Sequence, residues 1–217
     1  MKHEQAGGAM IPKKSLPAPR GEPGVHDQRD ISDPRTMRAL AHPVRLALLE
    51  ALRREGPLTA TRAAELLDDS PGNMSWHLQT LAKYGFVEEA GGGRGRSRPW
   101  RVVALTVSVK GRPSSDPEFA SAEEALEASV QERSYQALRE WRSGRLSFPP
   151  VWHTSAFSTH SLAYLTAEEL KGLSAEIVAL LTRYNSRLLD KSERPPDALP
   201  VHIFAVGHPL PPTPSGN

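Results

Sequence analysis

The apolar positions of the chain follow a helical period up to about residue 84 and alternate after it. Four helices are predicted between residues 33 and 84, because Leu, Met, Val and Ala recur there at three- and four-residue spacing. The predicted breaks are His42-Pro43, Gly56-Pro57 and Asp68-Asp69-Ser70. Asp33-Pro34 and Ser70-Pro71 each join an N-cap residue to a proline, a typical helix start. Residues 86–90 and 99–103 alternate and predict a β-hairpin.

The helix predicted over residues 71–84 separates its apolar and polar positions. Met74, Leu78 and Leu81 fall on one face, at helical spacing. The opposite face carries Gly72, Asn73, Trp76, Gln79, Thr80 and Lys83, and Ser75 and His77 lie on the two flanks. Small polar groups and an exposed tryptophan indicate a face that contacts a partner, since a large apolar group in water favours one.

The order of helix, turn, helix and hairpin is typical of a unit that holds its second helix in the major groove of DNA. Asn73 and Gln79 match the donor and acceptor of adenine, and Trp76 can pack on a thymine methyl. We predict that Asn73, Ser75, Trp76 and Gln79 face bases, and that Ser70, Thr80 and Lys83 contact the DNA backbone. His77 fits a phosphate contact or an ordinary packing role.

Three arginines lie at alternate positions in the glycine-rich tip of the predicted hairpin. Arg94, Arg96 and Arg98 follow Gly91-Gly92-Gly93, so a tight loop would present three cations. Such a loop could be merely solubilising, but after a helix-turn-helix it indicates contact with phosphates or with a minor groove.

Two sequence segments resemble those of ArsR-type winged-helix repressors. Residues 40–46, Leu-Ala-His-Pro-Val-Arg-Leu, are similar to the family's "LADPTRL" opening, and Ser75-Trp76-His77-Leu78, with Leu81 and Gly85-Phe86-Val87, is similar to its "S-x-H-L-x-x-L…G-L-V" signature. The resemblance covers roughly a third of the chain, the size of one small domain. It implies a prokaryotic, dimeric, cytoplasmic transcription regulator, and it favours a repressor. Many members sense metals through a Cys-x-Cys motif, which this chain lacks.

Composition limits the chemistry that the chain can perform. The absence of cysteine excludes disulfides and thiolate metal sites. His153 and His160, with Asp190 and Glu193 far downstream, match no familiar zinc spacing, so no metal or cofactor is expected. No phosphate loop and no Gly-x-Ser-x-Gly elbow occurs, so we do not expect an enzyme. We also expect no secretory signal and no membrane span, hence a cytoplasmic protein.

Charge supports the same division of the chain. The net charge is only +2 over 217 residues, but residues 34–104 hold 11 Lys and Arg against 7 Asp and Glu. Residues 1–33 balance 5 against 5, and residues 105–217 hold 11 against 13. The positive excess therefore falls on the predicted DNA-binding module, as an electrostatic footprint requires. Because that excess is modest, dimerisation is expected to be needed for useful affinity.

Four regions are predicted: a disordered tail over 1–32, a winged helix-turn-helix over 33–109, a second unit over 117–206, and a frayed end over 207–217. The strand pattern continues to Val109, and residues 111–116 form a linker. Two capping boxes, Ser121 to Glu124 and Thr166 to Glu169, start helices in the second unit. The second of these helices carries the strongest amphipathic stripe, from Leu170 to Leu188. Strands are predicted over 151–157 and 201–206.

The predicted fold is mainly α with a small β component: a winged helix-turn-helix followed by a smaller helical and β unit. The predicted function is a sequence-specific transcription regulator, a repressor by resemblance, that binds a pseudo-palindromic site on double-stranded DNA as a homodimer. Residues 117–206 would supply dimerisation, a small-molecule effector pocket, or both. Two alternatives stay open: a winged helix that binds protein without reading DNA, and an effector-sensing regulator.

Overall fold

A computed structural model describes residues 26–93, 97–109 and 116–211 of the chain. Its elements, in order, are β1 (His26–Ile31), α1 (Pro34–Leu40), α2 (Pro43–Glu55), α3 (Ala60–Leu67), α4 (Pro71–Lys83), β2 (Val87–Glu89), β3 (Trp100–Val102), β4 (Ala104–Val109), α5 (Pro117–Gly144), α6 (Pro150–Ser155), α7 (Ala167–Thr182) and α8 (Ser186–Leu189). Single 3₁₀ turns span Arg145–Ser147 and Lys191–Glu193. The predicted α+β winged helix-turn-helix architecture is confirmed.

The helices of the first half start where side chains satisfy their free N–H groups. Asp33 accepts from the Thr36 amide at 2.9 Å, and Thr59 and Ser70 accept from Arg62 and Asn73 at 3.2 Å each. These caps confirm the predicted helix starts, because each acceptor lies three residues before its donor.

The predicted hairpin is confirmed and is tied to the helices. β2 and β3 pair antiparallel, with Val87 opposite Val102 and Glu89 opposite Trp100. Leu58, just before α3, exchanges backbone hydrogen bonds with Trp100 at 3.0 and 2.8 Å. The wing is therefore fixed to the start of the helix-turn-helix.

Strands β1 and β4 correct two predictions. β1 pairs in parallel with β4, from His26 opposite Ala104 to Ile31 opposite Val109. The predicted disordered tail is therefore wrong for residues 26–31; residues 1–25 lie outside the described part. β4 does not continue the wing either, because the chain bends at Val103, whose N–H donates to Phe86. Backbone pairing between distant segments gives no local composition signal.

One hydrophobic core joins α1 to α4, the wing and the first half of α5. Its deepest side chains are Met37, Leu48, Leu52, Met74, Leu78 and Leu81. Phe119, Ala122 and Leu126 of α5 belong to it. Ion pairs Arg38–Glu118 at 2.7 Å and Arg133–Glu50 at 2.8 Å join α5 to α1 and α2. The core therefore extends beyond the predicted boundary at 110–116.

The predicted start of the first C-terminal helix is wrong. α5 begins at Pro117 and not near Ser121, because Asp116 caps the amides of Glu118 and Phe119 at 3.0 and 3.4 Å. Asp116 supplies the N-cap and Pro117 is the first-turn proline. This start precedes the predicted capping box at Ser121 to Glu124, which lies inside the helix.

The rest of the second unit is helical or irregular where it is described. Residues 150–155 form α6 in place of a predicted strand, and 201–206 form no strand. The capping box at Thr166 is confirmed, since Thr166 and Glu169 bond each other's amides at 3.2 and 2.7 Å. α7 nevertheless buries none of its residues. The predicted C-terminal tail shows no helix or strand over 207–211, and 212–217 lie outside the described part.

Within the described residues, no helix is long and apolar enough to cross a membrane.

Candidate nucleic-acid interface

The turn between α3 and α4 sets the angle of α4 on the core. Asp68 adopts a left-handed conformation with φ 53°, and its N–H donates to Ala64. Asp tolerates this conformation better than most residues, so the chain can reverse without glycine. Ala63 of α3 and Met74 and Leu78 of α4 belong to the same hydrophobic core. α4 is thereby held as a rigid second helix of a helix-turn-helix.

α4 presents its polar face to solvent, as predicted. Met74, Leu78 and Leu81 are fully buried, whereas Asn73, Gln79 and Lys83 are exposed. Trp76 is 56% exposed, although most large apolar side chains of this half of the molecule are buried. The indole is a large apolar group on a polar face, and it is available to a partner.

The predicted base-contacting amides are already hydrogen-bonded on the protein. Asn73 Nδ2 donates to Asp69 Oδ2 at 2.8 Å, and Gln79 Nε2 donates to the half-buried Ser75 Oγ at 3.4 Å. These bonds fix the amides at the helix surface. Each amide nitrogen keeps a second N–H, so a bidentate contact with adenine is compatible with these internal bonds.

Asp69 is a residue that the sequence prediction missed. Its carboxylate accepts from the Ser70 amide at 2.6 Å as well as from Asn73. Both bonds favour the charged form, so the pKa of Asp69 lies below its usual range. The carboxylate thus occupies the Ser70 amide, so a phosphate at the start of α4 would be bound through the Ser70 hydroxyl and not through that amide. The signal was present in the sequence, because Asp69 and Asn73 are four residues apart.

Two of the residues assigned to the DNA backbone use polar groups internally. Ser70 Oγ accepts from the Asn73 amide as the cap of α4, which leaves its hydroxyl hydrogen for a phosphate. Thr80 donates its hydroxyl hydrogen to the Trp76 carbonyl at 2.9 Å and has no donor left in this arrangement. Lys83 is exposed, with Nζ 5.7 Å from the centre of the Tyr84 ring. Lys83 therefore fits the predicted phosphate contact better than Thr80.

His77 lies in the interior, in the packing role and not at the phosphate contact that was the other predicted role. It is 3% exposed, with its ring centre 4.8 Å from that of His42 and 4.7 Å from that of Trp76. Its position, three residues after Met74 and four before Leu81, places it at the edge of the core face. The buried His77 ring therefore packs against the Trp76 ring and cannot reach a phosphate.

Half-buried His42 and buried His77 form a pair of rings beside Arg45. His42 Nδ1 accepts from the Val44 amide at 3.2 Å and so caps α2. Burial lowers the pKa of both histidines, and the charge of Arg45 lowers both pKa values further. His77 Nδ1 is buried without a hydrogen-bond partner among the described residues. Both rings are therefore held in the neutral form near pH 7.

The wing offers one described arginine of the predicted three. Arg98 Nη1 lies 2.7 Å from Glu89 Oε1, and both side chains are about half exposed. Exposed pairs of this kind contribute about 0–1 kcal/mol, so a phosphate can compete with Glu89. Arg94 and Arg96 lie outside the described residues. A side chain at Gly93 would meet the Ser97 carbonyl, so the tip requires glycine there.

No group of three or more His, Cys, Asp or Glu that could hold a metal ion occurs in the parts of the chain that the structure describes. His153 instead lies 3.1 Å from the Phe148 carbonyl, and His160 is exposed.

Comparison with protein families identifies the same unit of the chain. A family described as a helix-turn-helix domain matches residues 40–90, which run from the end of α1 through β2. No curated protein matches the chain. The match covers the elements that position Asn73, Trp76 and Gln79. The chain therefore contains a helix-turn-helix domain of the kind that DNA-binding regulators use.

Proposed function

We propose that this protein is a sequence-specific, ArsR-type transcription regulator of the cytoplasm, which represses genes by binding a pseudo-palindromic operator as a homodimer. The observation that carries the proposal is the solvent-exposed face of α4, on which Asn73, Trp76 and Gln79 stand together within the matched helix-turn-helix. The N-terminal part of such a helix meets base edges in the major groove.

Each side chain has a distinct role in this proposal. Asn73 and Gln79 contact adenine edges with the second N–H and the carbonyl oxygen of each amide, and Trp76 packs on a thymine methyl or a sugar. Lys83, Ser70 and the wing arginines contact phosphates and fix the register. The proposal includes no catalytic step, because the sequence lacks the motifs that would carry one.

The test is the effect of single substitutions on sequence preference. Asn73→Ala and Gln79→Ala should each lower the preference for the operator over scrambled DNA, by about 1–3 kcal/mol if the contact is bidentate. Gln131→Ala, an exposed glutamine on α5, is the matched control and should change neither affinity. If both α4 variants lost affinity for operator and scrambled DNA equally, the amides would not read bases.

The wing is tested through salt dependence. The double variant Arg94→Ala with Arg96→Ala should weaken binding to all sequences alike. The slope of log K against log salt should become shallower by up to about 2, because each lost phosphate contact removes about 0.9. An unchanged slope would remove these two arginines from the DNA contacts.

Regulation by a small molecule is a second candidate, and a groove favours it. The groove has a volume of about 530 Å³ and lies between α2, the turn before α4, and α5. The groove is lined by the apolar side chains of Val44, Leu67 and Ala128 and by the charged side chains of Asp69 and Arg133. A ligand there would contact Asp69, the residue that holds Asn73. Binding could therefore couple to DNA recognition.

Filling this groove by substitution tests the candidate. Ala128→Trp should alter operator affinity, whereas Ala125→Trp, exposed on the same helix, should not. Equal operator affinity in both variants and the wild type would leave the groove without a regulatory role.

A further inference from the structure

The C-terminal arm, residues 145–211, buries none of its described residues. Every buried apolar side chain among the described residues lies between Ile31 and Leu126, and no described residue beyond Ser134 is buried. The arm nevertheless carries eighteen exposed large apolar side chains, including Phe157 at 77%, Tyr164 at 102% and Val201 at 62%. A chain does not keep so much apolar surface in water unless something covers it.

The exposed surface is large enough for a stable interface. At roughly 80 Å² each, about half of what a large apolar side chain offers, these side chains expose about 1,400 Å². A standard protein interface needs about 800 Å² from each partner, and the largest apolar patch of an ordinary monomer is about 300–600 Å². The summed exposed apolar area of the arm is therefore comparable to what each partner of a dimer supplies.

The arm also contains secondary-structure signals that remain incomplete within one chain. α7 has a full capping box, yet a 16-residue helix is marginal in water until its apolar face packs. Residues 201–206, Val-His-Ile-Phe-Ala-Val, have a strand-forming composition but no strand partner in the described part. Both features are explained if a second molecule supplies the missing contacts.

The arm contacts its own body at one end. Leu189 of α8 packs on the core, and Arg194 Nη1 donates to the Arg54 carbonyl at 3.5 Å. Its other end continues from α5, a 28-residue helix about 42 Å long. The Trp141 ring lies 5.1 Å from that of Phe148 and joins α5 to the arm. Phe148 thus joins the start of the arm to the distal half of α5, where Tyr135 and Leu138 are also exposed.

Charge favours a second copy of the chain over DNA or a membrane. Residues 145–211 carry six Lys and Arg and six Asp and Glu, so the arm is neutral. A neutral surface has no electrostatic attraction for nucleic acid or for anionic lipid, and two identical copies do not repel each other. A two-fold interface also buries the same apolar patch on both molecules.

We propose that the arm is the dimer interface: the apolar face of α7, residues 199–206 and the distal half of α5 pack on the same elements of a second copy. This inference deepens the proposed function, which requires two recognition helices related by symmetry. It adds that the main dimer contact lies beyond the winged helix, at residues 135–211.

Sedimentation mass tests the interface with full-length protein and without DNA. Leu173→Glu with Leu180→Glu places charges on the exposed apolar face of α7 while keeping good helix formers. Ala175→Glu with Ala179→Glu, exposed on the opposite face, is the matched control. The wild type and the control should sediment as dimers at micromolar concentration. The apolar-face variant should dissociate at least about 100-fold more readily.

Hydrogen exchange of the wild type gives an independent measurement should the variant fail to fold. Amides of residues 167–182 and 201–206 should become more protected as concentration rises and dimers form. A wild type that is monomeric at about 50 µM, an apolar-face variant that stays dimeric, or exchange in these segments that ignores concentration would each overturn the interface. A dimer that fails to bind DNA would instead refute the proposed function and leave the interface standing.

Discussion

The pair of half-buried His42 and buried His77 should make the fold sensitive to mild acid. Burial lowers the pKa of each ring from its ordinary value of 6.5, and Arg45 lowers both pKa values further. His42 also lowers the pKa of His77, whereas Asp69 acts on it in the opposite direction. The unfolded chain therefore binds more protons than the folded chain just below pH 6.5. Stability should be fully present above that pH and should be lost as pH falls toward the folded-state pKa values.

The number of rings sets the size of the effect. One extra proton on the unfolded state gives a slope of about 1.4 kcal/mol per pH unit, so two histidines give at most about 2.7 kcal/mol per unit. The geometry explains the direction. A proton on His42 Nδ1 would remove the acceptor for the Val44 amide, and a charged His77 would face Arg45 in the interior.

Urea unfolding between pH 5.5 and 7.5 measures this slope. His42→Asn keeps an N-cap acceptor without a titrating ring, and His77→Gln removes the second ring. The double variant should lose most of the slope, whereas His160→Asn, exposed in the arm, should keep it. Equal slopes in the wild type and the double variant would refute the account of the pair.

Three further predictions concern stability. Leu78→Ala, in the fully buried face of α4, should cost about 2–5 kcal/mol by urea unfolding; a loss below about 1 kcal/mol would contradict its place in the core. Gly56→Ala should lower the free energy of unfolding by about 1–3 kcal/mol, because φ is +86° there and strains any other residue, although the space around it is open. Gly144→Ala, also in open space but without a positive φ, should cost less. Equal costs would refute backbone strain as the cause. Thr166→Ala should speed hydrogen exchange across α7, since it removes a cap that typically contributes about 1 kcal/mol; unchanged exchange would show that the cap is dispensable.

Local signals made much of the DNA-binding unit predictable from sequence. The caps at Asp33, Thr59 and Ser70 bond amides three residues away, so donor and acceptor are visible together in the sequence. The change from helical to alternating period likewise marked α4 and the wing. These features depend on short sequence separations, at which side-chain chemistry and backbone geometry are directly related.

Features that depend on distant segments could not be predicted. Helical spacing placed His77 on a flank of α4. It could not show that the ring packs against His42, which lies 35 residues earlier in the chain. β1 is a strand because β4 pairs with it, although its own residues are mostly polar. Residues 201–206 have a strand-forming composition but lack a partner in the described chain. Strand formation there depends on what covers the arm.

The measurement that tests the central claim most directly is fluorescence anisotropy of the wild-type protein, across a salt series, with its own upstream DNA and with a scrambled duplex. The account predicts tight binding that prefers the native duplex, with a steep loss of affinity as salt rises. Weak and equal binding to both duplexes would contradict the claim that α4 reads DNA sequence. It would favour instead a winged helix that docks on another protein through Trp76.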